Sequence, residues 1–190
     1  GGASTGWITD DEFMKGNKPL PSAEVLSRLP CWCGLDLAAT RDLTCFAAIW
    51  HDANTGVFYL DVHSFVNEEQ AESRRLSGGT NYHEFAQRGE LTITDGNVTD
   101  FRTVRDYIVD FCGRNNVQAV AYDRKFSTYI TPELIERGVR MCDFGQGFYS
   151  MSYPTKMFEI ELAKGNVIHG GHNLLRWQFS CVHLKRDDAD

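Results

Sequence analysis

The sequence lacks long apolar segments. None of its apolar runs approaches the roughly 20 residues that a membrane-spanning helix requires, and the N-terminus does not show the basic-then-apolar pattern of a secretory signal. We therefore expect no membrane partner. The chain has 190 residues, of which 42% are hydrophobic. This length and composition are sufficient for one domain with a sizeable core.

Positive charge is also scarce. The 19 Lys and Arg residues are outnumbered by 26 Asp and Glu residues, which gives a formal net charge of −7. This balance argues against a generic nucleic-acid-binding surface. It does not exclude an enzyme that acts on nucleic acids, because active-site carboxylates add negative charge that bound metal ions neutralise. Basic residues are concentrated locally, at Arg124-Lys125 and Lys185-Arg186.

Several common sequence motifs of metal-binding, nucleotide-binding and hydrolase sites are missing. Cys31 and Cys33 form a C-x-C pair, but no second pair follows at the spacing of a zinc site. We predict that the six cysteines are mostly buried free thiols, which suits a reducing cytosol. The sequence contains neither a G-x-x-x-x-G-K-[ST] loop nor a G-x-S-x-G motif. A phosphate-binding P-loop and Ser/His/Asp hydrolysis therefore have no support.

Two aspartates stand out against this background. Asp36 and Asp123 each follow a short apolar run that predicts a buried strand. They are far apart in sequence, yet they can meet if their strands are neighbours in one sheet. Two adjacent carboxylates repel each other, so each resists ionisation. A divalent cation relieves this repulsion, and oxygen ligands suit magnesium or manganese. Such a site is typical of phosphoryl-transfer chemistry on nucleic acids.

Each of these residues also has a simpler interpretation. Asp36 alone could cap the turn that follows it, and Asp123 could be a salt-bridged strand-end acid. Their equivalent settings favour a shared metal site. Asp42 lies on the loop after Asp36. It is more consistent with a residue that caps a turn, or with one that contacts the metal ligands, than with a direct metal ligand. His169 and His172 could bind zinc, but no cysteine or acidic partner lies at suitable spacing. His169 suits a loop position near the active site better.

The first half of the domain predicts an antiparallel meander. Strands are predicted at residues 31–38, 43–50 and 56–65, and the turn signal at 52–56 joins the last two in a hairpin. Residues 67–80 are polar and predict an exposed loop with some helix. A short helix at 82–88 and a short strand at 91–94 follow.

The second half alternates between helices and strands. Asp100 can cap a helix whose apolar positions are close to helical spacing. A strand at 117–122, a helix at 131–137 and a strand at 139–144 then complete a β-α-β-α-β pattern, which implies parallel neighbours. Further helices are predicted at 154–164 and 173–181.

This order of elements fits an α/β fold of ribonuclease H-like type, in which a mixed central sheet is flanked by helices. The sheet combines a three-stranded antiparallel meander with parallel strands. The strands that carry Asp36 and Asp123 are then adjacent at the centre of the sheet. We predict that residues 1–30 form a linker or lead-in with one short helix, and that residues 31–190 form the domain.

Several segments together resemble the C-terminal nuclease domain of the large terminase subunit of tailed bacteriophages. The resemblance runs from about residue 31 to the end, and the order and spacing of the segments are more specific than any one of them. The segments are Cys33–Thr44, Ala119–Arg124, Gly145–Gly147 with Met151-Ser152, and Ile168–Trp177.

The resemblance implies a two-metal endonuclease that cuts concatemeric viral DNA during genome packaging. Two Mg²⁺ or Mn²⁺ ions, about 4 Å apart, would be bound by Asp36 and Asp123. Double-stranded DNA is the implied substrate, and the implied partners are an ATPase motor domain of the same protein, the portal and the small terminase subunit. The implied location is the host bacterial cytoplasm. The candidate DNA contacts are Arg124, Lys125, Lys185 and Arg186.

Two features depart from the family pattern. The family's third acid lies on a final helix that we do not find, so we expect it beyond Asp190. Asp187 and Asp188 resemble the loop before that helix and remain candidate additional ligands. Cys181 stands where the family pattern has an asparagine.

Three alternatives stay open from the sequence. A resolvase or transposase would share the fold, although the segments at 145–152 and 168–177 favour the packaging nuclease. A sugar-kinase-like phosphotransferase fits poorly, because such enzymes have glycine and threonine directly after the aspartate. A non-catalytic module that contacts DNA or the portal differs from all of these in that it need not bind metal.

Overall fold

The computed structural model describes residues 8–38, 43–123, 127–143 and 159–177. Its strands are β1 (Pro30–Asp36), β2 (Thr44–Asp52), β3 (Val57–Asn67), β4 (Leu91–Thr94), β5 (Asn116–Tyr122), β6 (Met141–Asp143) and β7 (Val167–Ile168). Its helices are α1 (Asp10–Met14), α2 (Ala23–Ser27), α3 (Glu68–Leu76), α4 (Tyr82–Gln87), α5 (Phe101–Arg114) and α6 (Ser127–Glu136). Residues 159–163 and 173–177 are also helical.

The seven strands form one mixed sheet with the order β4-β3-β2-β1-β5-β6, and β7 pairs with β3. The pairs β1–β2 and β2–β3 are antiparallel. The pairs β1–β5, β5–β6, β3–β4 and β3–β7 are parallel. The predicted α/β fold, with its meander, parallel strands and flanking helices, is confirmed. The carboxyl ends of β1, β5 and β6 lie together at one end of the sheet, and this row of strand ends is the edge that carries the site described below.

Apolar side chains alternate between the two faces of the sheet, as the two-residue period of a strand requires. On one face, Leu35 and Phe46 pack with residues of α5 and α6, including Ile108 and Leu134. On the other face, Leu60 and Val62 of β3 pack with residues from both ends of the described chain, among them Ile8, Phe13, Leu162 and Leu175.

The N-terminal segment (residues 8–29) packs against the sheet through buried side chains. Phe13 is 2% exposed, and its ring stacks on that of His169 with 3.9 Å between the centroids. Arg176 forms an ion pair with Asp10. The segment contains two short helices, α1 and α2, where the sequence predicted one.

Residues 67–80 differ most from the sequence prediction, because a nine-residue helix, α3, occupies most of this stretch. The Asn67 side chain caps it by accepting a hydrogen bond from the backbone N–H of Gln70 at 2.9 Å. Acidic residues lie in its first turn and arginines in its last turn, as the helix dipole favours. Only Ala71 of this helix is buried, so the apolar period that identifies most helices is absent.

Within the described residues, no helix combines the length and the apolar character that crossing a bilayer requires. The described cysteines are all free thiols, and Cys31 and Cys33 are buried as predicted. Their sulfur atoms lie 3.8 Å apart. Cys142 is exposed, because it lies on the short edge strand β6.

Candidate active site

The structure brings Asp36 and Asp123 to the same edge of the sheet. Strands β1 and β5 are parallel neighbours, and their last paired residues are Leu35 and Tyr122. Asp36 and Asp123 are the residues that follow Leu35 and Tyr122 along the polypeptide. Their Cα atoms are therefore separated by about one strand spacing, roughly 4.8 Å. The adjacency predicted from the sequence is therefore present in the fold.

Alternation along β1 determines the direction in which Asp36 points. Cys31, Cys33 and Leu35 are buried, whereas Trp32 and Asp36 are exposed. The carboxylate therefore lies on the face of the sheet opposite α5 and α6. Asp123 is half-buried, at the point where the chain leaves β5.

An open cleft of about 410 Å³ extends along this face from Asp36. Its lining includes Trp32, Gly34, Cys45 and Ala121. Trp32 is 45% exposed, whereas Gly34, Cys45 and Ala121 contribute only small side chains to the lining. Cys45 is the antiparallel partner of Asp36 on β2, and its sulfur accepts a hydrogen bond from the Ser64 hydroxyl at 3.4 Å. The exposed carboxylate of Asp36 thus opens onto this cleft.

A third aspartate at this edge was not among the sequence candidates. Asp143 ends β6, is paired with Tyr122 of β5, and is exposed. Three adjacent parallel strands, β1, β5 and β6, therefore have an aspartate at or directly after their carboxyl ends. The signal was available in the sequence, because the predicted strand at 139–144 belongs to the same β-α-β pattern and its carboxyl end must lie at the same edge.

The chemistry of these residues suits a hard divalent cation. Carboxylate oxygens are the ligands that magnesium and manganese prefer, and neighbouring carboxylates gain from a cation between them. Within the described ranges, no group of three or more His, Cys, Asp or Glu side chains is arranged to hold a metal ion.

His169 lies away from this edge. It is 2% exposed and follows β7, which pairs with Phe58 and Tyr59 of β3. Its Nε2 is 2.6 Å from the carbonyl oxygen of Phe13, and its Nδ1 accepts a hydrogen bond from the Gly171 N–H at 3.0 Å. Burial lowers the pKa of His169. The described contacts of this ring connect the N-terminal segment to the chain after β7.

His172 is half-buried and engaged on both ring nitrogens. Its Nε2 is 2.7 Å from the carbonyl oxygen of Val62, and its Nδ1 accepts a hydrogen bond from the Leu175 N–H at 3.1 Å. Among the described residues, His169 and His172 do not take part in a cluster that can hold a metal. The zinc alternative gains no support.

Other sequence candidates lie outside the described residues, so the structure does not place them. They are Asp42, Arg124, Lys125, Lys185, Arg186, Asp187 and Asp188. The same holds for Cys181 and for the segments Gly145–Gly147 and Met151-Ser152 that contributed to the family resemblance.

Comparisons with known proteins agree with this geometry. The family model "Terminase large subunit, endonuclease domain" matches residues 3–190. The terminase large subunit of Enterobacteria phage HK97 is 27% identical over 146 residues, which are 76% of this chain and 29% of that protein. Protein YmfN of Escherichia coli K12 is 23% identical over 157 residues, or 78% of this chain and 34% of that protein.

A solved structure supports the fold. The crystal structure of the HK97 large terminase matches with a TM-score of 0.79 and 23% identity, and the match covers 90% of this chain and 35% of that one. The chain thus spans about a third of the length of these relatives.

Proposed function

Because the chain belongs to the endonuclease-domain family of the terminase large subunit, we propose that it is a metal-dependent DNA endonuclease whose site is formed by Asp36 and Asp123. The family resemblance inferred from the sequence is confirmed. The observation that supports this assignment most strongly is the parallel pairing of β1 with β5, whose last pair, Leu35 and Tyr122, directly precedes the two aspartates.

Asp36 and Asp123 would provide carboxylate oxygens for Mg²⁺ or Mn²⁺. Two such ions, when bound, supply Lewis-acid activation of water and stabilisation of the leaving oxygen in phosphodiester hydrolysis. The chain's own contribution is to hold the two carboxylates side by side on strands that the sheet fixes. The open cleft beside Asp36 leaves room for a phosphodiester backbone to approach.

The proposed substrate is double-stranded concatemeric viral DNA, cut during genome packaging in the host bacterial cytoplasm. The proposed partners are an ATPase motor domain of the same protein, the portal and the small terminase subunit. Arg124, Lys125, Lys185 and Arg186 remain predicted DNA contacts, and Asp42, Asp187 and Asp188 remain predicted auxiliary residues of the site. His169 is not included, because its buried ring contacts Phe13 and Gly171 away from Asp36.

Cleavage of supercoiled plasmid tests the proposal. We expect nicked or linear product with Mg²⁺ or Mn²⁺ and none in EDTA. Asp36→Asn and Asp123→Asn each keep the side-chain shape and remove a charged ligand. Each variant should cut at least about 100-fold more slowly, which is about 2.7 kcal/mol of transition-state stabilisation. Asp11→Asn is the matched control, because Asp11 is an exposed aspartate of α1.

Three outcomes would count against the proposal. Cleavage that survives EDTA would contradict metal dependence. Parent-like cleavage by Asp36→Asn would make that aspartate a turn cap. A folded parent that binds DNA but does not cut it with either metal would favour a non-catalytic interaction module. Circular dichroism of each variant establishes that lost activity does not reflect unfolding.

A further inference from the structure

The cleft that contains Asp36 has an aromatic side chain at its other end. Trp32 and Asp36 are both exposed and lie on the same face of β1, four residues apart, so roughly 13 Å of strand separates their Cα atoms. Both residues line the cleft. A large apolar ring gains free energy when it leaves water. The exposed indole of Trp32 is therefore available to a ligand that enters beside the proposed catalytic carboxylate.

The floor between Trp32 and Asp36 is made of very small residues. Gly34 lies midway between them on β1, and its paired neighbours are Ala47 on β2 and Ala121 on β5. All three residues line the cleft. This row across the sheet has no side chain larger than a methyl group. A flat ligand can therefore lie on the floor and contact Trp32 at one end while it reaches Asp36 at the other.

The fold itself does not require glycine at position 34. A Cβ atom added to Gly34 would meet no neighbouring atom within 4 Å, and Gly34 is not among the glycines with positive φ. Glycine within a strand lowers stability relative to alanine, because glycine loses more conformational freedom on folding. Such a glycine often marks a place where a ligand approaches the backbone closely. Gly34 and the exposed Trp32 thus independently indicate a ligand on the same surface.

The chemistry of the cleft suits a nucleobase better than a phosphate. None of the described residues that line it is a lysine, arginine or histidine, and Asp36 is negatively charged. Bases of every kind stack on aromatic side chains. The volume of about 410 Å³ lies within the range of small-ligand sites, about 300–1,000 Å³, which suits a single nucleotide better than a duplex. In a duplex, neighbouring pairs cover the base faces, so a base that stacks on a side chain must be unpaired.

We propose that the cleft binds an unpaired segment of the DNA strand that is cut, with one base stacked on Trp32. Nucleotides of a stacked strand are about 3.4 Å apart, so this base lies roughly four nucleotides from the phosphate at Asp36. The inference deepens the proposed nuclease function and rests on it. Trp32 is then a substrate-binding residue, and the preferred substrate is double-stranded DNA in which the strands are locally open.

Tryptophan fluorescence tests the contact directly. A short single-stranded oligonucleotide is added in EDTA, which permits binding without cleavage. The sequence has four tryptophans, so the difference between the parent and Trp32→Phe isolates the emission of Trp32. We expect the oligonucleotide to quench this emission. Unchanged emission of Trp32 at saturating oligonucleotide would overturn the proposal.

Substitution of Trp32 tests the energetic contribution of the ring. Trp32→Ala should raise the Kd for a labelled single-stranded oligonucleotide by about tenfold, or about 1.4 kcal/mol, which is typical of base–aromatic stacking. Trp32→Phe keeps an aromatic ring and should bind nearly as tightly as the parent. Tyr129→Ala is the matched control, because Tyr129 is a 51% exposed aromatic residue of α6, on the other face of the sheet. Parent-like binding by Trp32→Ala would overturn the proposal.

Substitution of Gly34 separates ligand binding from stability. Valine suits a strand, and its Cβ has free space at this position, so Gly34→Val should not lower the melting temperature. Its side chain covers the cleft floor and should raise the Kd by about tenfold, as loss of the stacked base predicts. Gly34→Ala should show a smaller rise. If Gly34→Val is as stable as the parent and binds the oligonucleotide equally well, the floor does not contact DNA and the proposal is wrong.

Cleavage distinguishes this inference from the nuclease function. The parent should cut a duplex with a short unpaired stretch faster than a fully paired duplex of the same sequence, and Trp32→Ala should lose this preference. If the parent cuts DNA but Trp32→Ala retains the preference, the inference fails alone. If the oligonucleotide quenches Trp32 but the parent cuts no DNA with either metal, the nuclease function fails and the binding site is supported.

Discussion

Truncation of Phe13 tests whether the N-terminal segment belongs to the folded domain. Phe13 is 2% exposed, packs in the core that includes Leu60 and Val62, and stacks on His169. Phe-to-Ala changes at such sites cost about 3–5 kcal/mol, because apolar contact is lost and a cavity remains. The backbone carbonyl that contacts His169 is retained, so we expect Phe13→Ala to cost about 3–4 kcal/mol.

The assay is urea unfolding followed by circular dichroism, supported by thermal melting. For a chain of this length, 1 kcal/mol corresponds to about 2–4 °C, so the melting temperature should fall by about 6–16 °C. Val25→Ala is the control, because Val25 is in the same segment but 44% exposed. It should change stability by no more than about 0.5 kcal/mol.

The His169 ring provides a second readout. Burial lowers its pKa in the parent, and removal of the stacked Phe13 ring should raise that pKa towards its ordinary value in an NMR titration. If Phe13→Ala costs less than about 1 kcal/mol and leaves the His169 pKa unchanged, residues 8–29 do not pack as described. That result would favour the linker that the sequence predicted for residues 1–30.

Two further predictions concern charge. Burial lowers the pKa of His63 to about 4, below its ordinary 6.5, so stability should be full above pH 6.5 and decline as the pH falls towards 4, by at most about 3 kcal/mol less the part that solvent screens. His63→Gln should flatten this decline in urea titrations at several pH values, and equal slopes would contradict the assignment. The difference between the variant and the parent separates the effect of His63 from that of half-buried Asp61, whose raised pKa acts in the opposite direction. Asp143→Asn should slow cleavage by about fivefold at limiting Mn²⁺, as loss of one nearby charge predicts, and have little effect at saturating Mn²⁺. A loss as large as that of Asp36→Asn, or none at any Mn²⁺ concentration, would contradict this peripheral role.

Local patterns in the sequence were sufficient for much of the fold. The meander follows from apolar alternation and the turn signal after Trp50, and the parallel strands follow from the alternation of helices and strands. Asp36 and Asp123 were identifiable because each lies at or directly after the end of a strand whose neighbour could be inferred. These features depend on contacts close in sequence or on general rules of chain connection.

The features that sequence reasoning missed depend on tertiary contacts. Helix α3 was predicted only as some helix within an exposed loop, because it buries only Ala71 and has no apolar period that would define its length. The burial of Phe13 depends on His169, more than 150 residues away. The pairing of Glu90 with His172 joins a loop before β4 to a helix near the end of the described chain. No local pattern contains these contacts, because each arises only when the sheet has brought distant segments together.

The central claim is that Asp36 and Asp123 act as one site, and a double-mutant cycle in plasmid cleavage tests it most directly. The rates of the parent, Asp36→Asn, Asp123→Asn and the double variant are compared at saturating Mn²⁺, with Asp11→Asn as the control. Residues that act as a unit have strongly non-additive effects. If the two aspartates form one site, each single variant loses nearly all cleavage and the double variant cuts no more slowly than the worse of the two. Losses that multiply in the double variant, or parent-like cleavage by either single variant, would contradict a shared site.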